Sequence, residues 1–205
     1  MIKIYEDFLP QELAEKIHND IYKTPENWWS TAYKYQDQNT KYINNTLESK
    51  NSKIQLDKKV RLSLQQGYFT YRFNRSTKHV ASCGCYECGF NTYLDGDNFK
   101  NWLKQNTHLN NPERSESFTS VYDRGDFLGT HTDTQRGIAF VFNFTKNWKP
   151  EYGGMLHVDG KFYCPKFNSL TIMELPEGGL PHFVSEVSSL ATTQRVAISG
   201  WFNES

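Results

Sequence analysis

Residues 117–144 read SFTSVYDRGDFLGTHTDTQRGIAFVFNF. Apolar and aromatic residues come here in short runs, at 118–122 and 138–144, separated by Asp, Gly and Arg. That is the texture of strands joined by turns, because β-branched and aromatic side chains suit a pleated surface and Gly and Asp punctuate it. The same texture continues through GMLHV (154–158), KFYCP (161–165), SLTIMEL (169–175), PHFVSEV (181–187) and QRVAISGWF (194–202). Asp159-Gly160, between two of these runs, has the composition of a two-residue hairpin turn.

Upstream the period changes. Pro10 suits a first helical turn, and Leu13, Ile17 and Ile21 follow at four-residue spacing until KTPEN (23–27). Leu56, Val60 and Leu64 repeat the spacing within 54–66, FKNWLKQ (99–105) is a shorter helix, and YFTYRF (68–73) alternates like a strand. The polar stretches STAYKYQDQNTKYINNTLESKNSK (30–53) and HLNNPERSES (108–117) read as long loops. Helices followed by at least seven short strands predict a mainly β fold with supporting α: a double-stranded β-helix, or jelly roll, with N-terminal helices. The 205 residues suffice for a single domain, with helical support over about 1–110 and the jelly-roll core over about 111–205.

Lys+Arg and Asp+Glu both number 23, so the formal net charge is zero. This argues against a chain that grips nucleic acid by neutralising phosphates. No run approaches the roughly 18 apolar residues of a membrane span, and the start lacks a basic segment followed by an apolar one. The expectation is a soluble, cytoplasmic protein with no membrane partner; its oligomeric state is left open.

Inside the opening stretch, His131 and Asp133 stand two residues apart. In an extended strand such positions share a face, so an imidazole and a carboxylate can reach one ion. Two histidines and one carboxylate make the facial triad of non-haem Fe(II), which leaves coordination positions open. His182, on a later strand, is the candidate for the third ligand. Arg195 follows on the last strand, and an arginine buried near such a site calls for a carboxylate to fill its planar fork.

The ordered set resembles the 2-oxoglutarate and Fe(II)-dependent dioxygenases: H-x-D, a histidine about fifty residues on, then an arginine. YDRGDFLGTHTD, NWKPEYGGML, PKFNSLTIMEL, PHFV and RVAISGWF are similar to the prolyl hydroxylase branch, over roughly residues 118–203, with a weaker likeness at YEDFLPQELAEKI. The resemblance implies that His131, Asp133 and His182 bind Fe(II), and that Arg195 pairs with the distal carboxylate of 2-oxoglutarate. It makes Tyr122 a residue that helps hold the co-substrate. Ser199 takes the place of a small hydroxyl residue on the strand face of Arg195, on the order of 13 Å away and nearer the metal. Asn143 stands where oxygen-sensing members have a further co-substrate tyrosine. Arg136 is a candidate for the substrate entrance, against the plainer reading of a solvated arginine.

The implied reaction uses O2 and 2-oxoglutarate, with ascorbate a candidate reductant, to hydroxylate a prolyl residue in a peptide or protein. A free amino acid or other small metabolite is the alternative substrate, and a catalytically silent metal-binding jelly roll the alternative function. Nucleic-acid demethylation is disfavoured by the neutral charge and the lack of a second arginine after Arg195. His79, Cys83, Cys85 and Cys88 lie within ten residues, Cys164 far away. Thiols and an imidazole suit a structural zinc, but the spacing is not that of paired CxxC knuckles. Ordinary loop thiols are the favoured reading, with Zn at Cys83, Cys85 and Cys88 the alternative.

Overall fold

A computed structural model describes residues 1–76 and 84–205. All seven stretches read as strands from residue 117 onward are strands: β5 (Pro112–Tyr122), β7 (Ile138–Asn143), β8 (Leu156–Val158), β9 (Lys161–Tyr163), β10 (Ser169–Glu174), β11 (His182–Val184) and β12 (Arg195–Glu204). β6 (Phe127–His131) adds a strand between β5 and β7. Asp159 and Gly160, both at positive φ (51° and 72°), close the β8–β9 hairpin, as the Asp-Gly pair predicts.

The N-terminal half contributes strands as well as helices: β1 (Ile2–Tyr5), β2 (Trp29–Lys34), β3 (Lys41–Asn44) and β4 (Tyr71–Ser76). Its helices are α1 (Gln11–Lys23), α2 (Lys50–Gln65), α3 (Tyr86–Asp95) and α4 (Asp97–Asn106). Among the described residues the strands form one 12-stranded sheet, in the order β1-β10-β7-β12-β5-β4-β6-β11-β8-β9, with β2 between β3 and β4. The sheet rolls on itself: a core cluster joins Val158 and Val184 of the β9 end to Ala139 and Met173 of the β1 end. The fold is thus the expected jelly roll with helical support.

Three expectations need correction. The stretch 30–53 is no loop. β2 is buried along Ser30, Thr31, Ala32 and Tyr33 and pairs on both edges. Thr31 tolerates burial because its hydroxyl is satisfied, Oγ1 lying 2.8 Å from the side-chain oxygens of both Asn45 and Asn74. Nor is 108–117 a loop, since β5 begins at Pro112, a first-residue position that a strand allows proline. The helix stripes also shift: α1 buries Ala14, Ile17 and Ile21 while Leu13 is exposed, and α2 buries Leu56, Val60 and Ser63 while Leu64 is exposed. Three- and four-residue steps alternate on a helical face, so a strict four-residue spacing drifts off it.

Strand parity creates two faces. Val196, Ile198 and Phe202 of β12, and Ile138, Phe140 and Phe142 of β7, join α1, α3 and α4 in an apolar layer with Ile17, Leu94, Phe99 and Leu103. Their alternate neighbours, Arg195, Ser199 and Trp201 on β12 and Phe118, Ser120 and Tyr122 on β5, line the interior of the roll. A one-residue slip would send the apolar set inward and these residues into the helix layer.

A charged network fixes the turn between β5 and β6. Arg72 Nε donates to Asp126 Oδ1 at 2.5 Å and Arg72 Nη1 to Asp57 Oδ1 at 3.1 Å. Asp126 is almost wholly buried and also accepts the Asp123 amide. Burial pushes its carboxyl up to about 7 against the pull of Arg72. A folded value raised above the ordinary 3.8 means that the stability linked to Asp126 is fully present below pH 3.8 and is lost as pH rises toward 7. Arg72→Lys keeps the charge but loses the fork that spans both carboxylates, so it should cost about 1–3 kcal/mol in urea denaturation at pH 8, with a smaller loss at pH 5. An equal loss at both pH values would remove Asp126 from the account.

Candidate active site

His131 is the last residue of β6, Asp133 follows two residues beyond the strand, and His182 opens β11 directly opposite His131 in the ladder. The pairing of β6 with β11 therefore brings two residues distant in sequence side by side. His131 Nε2 lies 3.7 Å from Asp133 Oδ1 and His182 Nε2 3.6 Å from Asp133 Oδ2, and the candidate ligand atoms all lie within 4.8 Å of one another. Among the described residues this is the one such cluster.

The backbone orients both imidazoles. His131 Nδ1 lies 3.0 Å from the Gly129 carbonyl and His182 Nδ1 2.7 Å from the Leu180 carbonyl. A carbonyl only accepts, so each Nδ1 carries the proton and each Nε2 keeps its lone pair for an ion. Gly129 is required here, because a Cβ on it would sit 2.5 Å from the Thr70 carbonyl that its amide bonds. Burial, then the neighbouring His182, holds the His131 imidazole below its ordinary value, which favours the neutral, ligating form.

A cavity of about 270 Å³ opens from the cluster into the roll. Phe69, Tyr71, Phe73, Phe118 and Trp201 wall it, and Phe69 stacks on His131 with ring centroids 5.0 Å apart. Arg195 lies deep in it, only 4 % exposed. No carboxylate among the described residues lies within ion-pair distance, and its Nε is buried without a hydrogen-bond partner. Tyr122, its partner across the β5–β12 ladder, presents its ring face 4.8 Å from the guanidinium carbon. Burial lowers the Arg195 value, yet a guanidinium stays charged, so among the described residues this is a buried cation without a counter-ion.

Six of the seven residues assigned to iron or co-substrate share this cavity: His131, Asp133, His182, Arg195, Tyr122 and Ser199. Asn143 lines a separate cavity behind Arg195, and its amide donates to Ser169 Oγ at 3.2 Å. Arg136 lies over the Trp201 ring, 5.0 Å from its centroid, and donates to Ser115 Oγ at 2.6 Å. His79 and Cys83 lie outside the described residues. Cys85 caps α3, its sulfur accepting the Cys88 amide at 3.4 Å.

Sequence reasoning missed Trp201. Its indole Nε1–H donates to Asp133 Oδ2 at 2.7 Å, which fixes the carboxylate from outside the cluster. Parity was the available signal, since Trp201 shares a strand face with Arg195 and Ser199. Second partners of metal ligands are worth about 10–100-fold in metal affinity, so Trp201→Phe should weaken Mn(II) binding by that factor with the fold retained. Unchanged affinity in a Mn(II) titration would reduce the bond to packing.

Residues 117–203 match the 2OG-Fe(II) oxygenase superfamily. The matched segment runs from β5 to β12 and holds the whole triad and Arg195. Among solved structures, a prolyl-4-hydroxylase of Pseudomonas putida superposes with a TM-score of 0.61 at 16% identity, over 100% of this chain and 92% of that one. An oxidoreductase of the 2OG-Fe(II) oxygenase family from Burkholderia pseudomallei gives 0.63 at 11%, over 98% and 84%. A Trichoplax adhaerens prolyl hydroxylase in complex with a hypoxia inducible factor oxygen degradation domain peptide fragment gives 0.61 at 14%, over 99% and 83%. At these identities the likeness is one of fold. No curated protein sequence matches significantly. The family match covers the jelly-roll half of the chain, and the fold as a whole is one it shares with prolyl hydroxylases. No helix among the described residues is long and apolar enough to cross a membrane.

Proposed function

We propose that this chain is a 2-oxoglutarate- and Fe(II)-dependent dioxygenase that hydroxylates a prolyl residue in a peptide or protein. One observation carries the reading: a His-Asp-His cluster with both Nε2 lone pairs available shares a cavity with a buried arginine that has no counter-ion among the described residues. The donor set fits Fe(II), with two imidazoles and a carboxylate on one side and the cavity on the other. The arginine fits the far carboxylate of a dicarboxylic acid whose other end reaches the metal.

His131, Asp133 and His182 would hold the ion. Arg195 would take the distal carboxylate of 2-oxoglutarate, with Tyr122 packed beneath the guanidinium and Ser199 on the same strand face. Bound Fe(II), with O2 and 2-oxoglutarate, supplies the oxidising power for C–H hydroxylation, and ascorbate serves as an accessory reductant. The chain's own task is to position and to exclude water. Phe69, Tyr71, Phe73, Phe118 and Trp201 suit a small apolar ring such as that of proline. The β2–β3 hairpin approaches this wall, Thr40 Oγ1 lying 2.5 Å from the Tyr71 hydroxyl. The peptide fragment bound to the Trichoplax adhaerens prolyl hydroxylase supports a peptide substrate.

The test is 2-oxoglutarate turnover with Fe(II) across proline-containing peptides, free amino acids and other metabolites, read by mass spectrometry. The expected result is a gain of one oxygen on proline within a peptide, absent from a His131→Ala variant. Turnover coupled only to a free amino acid or metabolite would replace the peptide reading. A chain that binds metal and turns over nothing would be the silent module.

A further inference from the structure

Besides the two histidines, three charged side chains line the cavity at the triad: Asp133, Arg195 and Arg75. In the proposed reaction the first two serve the metal and the co-substrate. Arg75 has no part in it. It stands on the cavity face of β4 with Tyr71 and Phe73, at alternate positions of one strand. Its guanidinium carbon lies 4.0 Å from the Phe118 ring centroid and 5.9 Å from that of Tyr42, so two aromatic rings hold the group. Nη2 donates to Glu116 Oε1, and Nη1 donates to the Tyr42 hydroxyl at 3.3 Å.

A guanidinium carries five N–H donors. Glu116 and Tyr42 take two of those on Arg75, which leaves three without an acceptor among the described residues. Glu116 compensates the charge only from the solvent side: its side chain is 39 % exposed against 17 % for Arg75, and it is not one of the residues that line the cavity. An ion pair with so exposed a carboxylate is weak, so Glu116 orients the guanidinium and leaves its fork open to a second acid. Along the cavity wall the Phe118 and Trp201 ring centroids are 6.0 Å apart, and the Trp201 indole is bonded to Asp133. An extended peptide covers this path from guanidinium to triad in about four residues, at about 3.3 Å each.

Resting on the reading of the chain as a hydroxylase of prolyl residues in peptides, we propose that Arg75 determines substrate specificity: it selects peptides that carry an aspartate or glutamate within about four residues of the target proline. The acidic side chain takes the open donors of Arg75 in its planar fork. A neutral residue there leaves those donors to water, and a lysine is repelled. The two rings and Glu116 fix the guanidinium before the peptide arrives, so little side-chain freedom is lost on binding.

Fluorescence anisotropy on wild-type chain loaded with Mn(II) and 2-oxoglutarate decides the matter. The probes are labelled glycine-alanine peptides with one central proline and an Asp, Asn or Lys placed in turn at each of the four positions on either side. At one position or more, Asp should bind about tenfold tighter than Asn, the size of a hydrogen bond to a charged group, and Lys more weakly than Asn. Arg75→Gln should erase the difference between Asp and Asn, and Glu116→Gln should keep it or widen it. Circular dichroism and Mn(II) uptake check that both variants are folded. Asp binding no tighter than Asn at every position, a preference that survives Arg75→Gln, or no binding by any peptide overturns the proposal. The same peptides incubated with Fe(II), 2-oxoglutarate and O2, and read by mass spectrometry, keep the two readings apart. Proline hydroxylation without a charge preference leaves the prolyl reading standing and removes Arg75 from it. A preference in binding that depends on Arg75, with no oxygen gained on any proline, brings down the prolyl reading and leaves Arg75 as an acidic-peptide site.

Discussion

His182→Ala is expected to abolish Fe(II) binding and 2-oxoglutarate turnover while the metal-free chain stays folded. The cluster offers three donors, and the ion also needs open positions for co-substrate and O2, so two remaining protein ligands hold it poorly. The fold should survive because the main apolar core, with Phe99, Phe142 and Phe202, lies on the helix-covered face of the sheet, away from the cluster. Circular dichroism of the metal-free variant checks the fold, and metal analysis after Fe(II) loading checks the site. A folded variant that retains one equivalent of iron would remove His182 from the triad.

Arg195→Leu should leave iron binding intact and weaken 2-oxoglutarate by about 2–5 kcal/mol, the cost of truncating one partner of a buried, hydrogen-bonded charge pair. Two features place it at the upper end of that range. The guanidinium is 4 % exposed, and no acid of the chain among the described residues competes for it. The same substitution should raise, not lower, the stability of the ligand-free chain, since it removes a buried charge that no group among the described residues compensates. Thermal unfolding with and without 2-oxoglutarate reads both effects. A variant that binds 2-oxoglutarate as tightly as the wild type would send the distal carboxylate to another residue.

The strands that build the roll were legible because they are short aromatic and β-branched runs bounded by Gly, Pro and Asp, and seven such runs became β5 and β7 to β12. β2 escaped because a strand buried on both faces needs no alternation, and its Thr31 is satisfied by neighbouring asparagines rather than exposed. α3 escaped because Gly89, Asn91 and Thr92 are poor helix formers, and packing of Phe90 and Leu94 on the sheet overrides propensity. In the site, His131 and Asp133 were readable as neighbours in sequence. His182 was placed by order alone, and the β6–β11 ladder supplies the physical reason for it. Two properties could not be read locally. The Trp201 bond to Asp133 joins β12 to the turn after β6, and the second cavity at Asn143 exists only once β7, β10 and β12 lie side by side.

The central claim is that one cavity holds Fe(II) and 2-oxoglutarate together, and anaerobic titration of the metal-free chain tests it most directly. Fe(II) followed by 2-oxoglutarate should produce a visible charge-transfer band that saturates at one equivalent of each. The band should be missing in His182→Ala and should need far more co-substrate in Arg195→Leu. A wild-type chain that takes up Fe(II) without any band on adding 2-oxoglutarate, or that takes up no Fe(II) at all, would contradict the account.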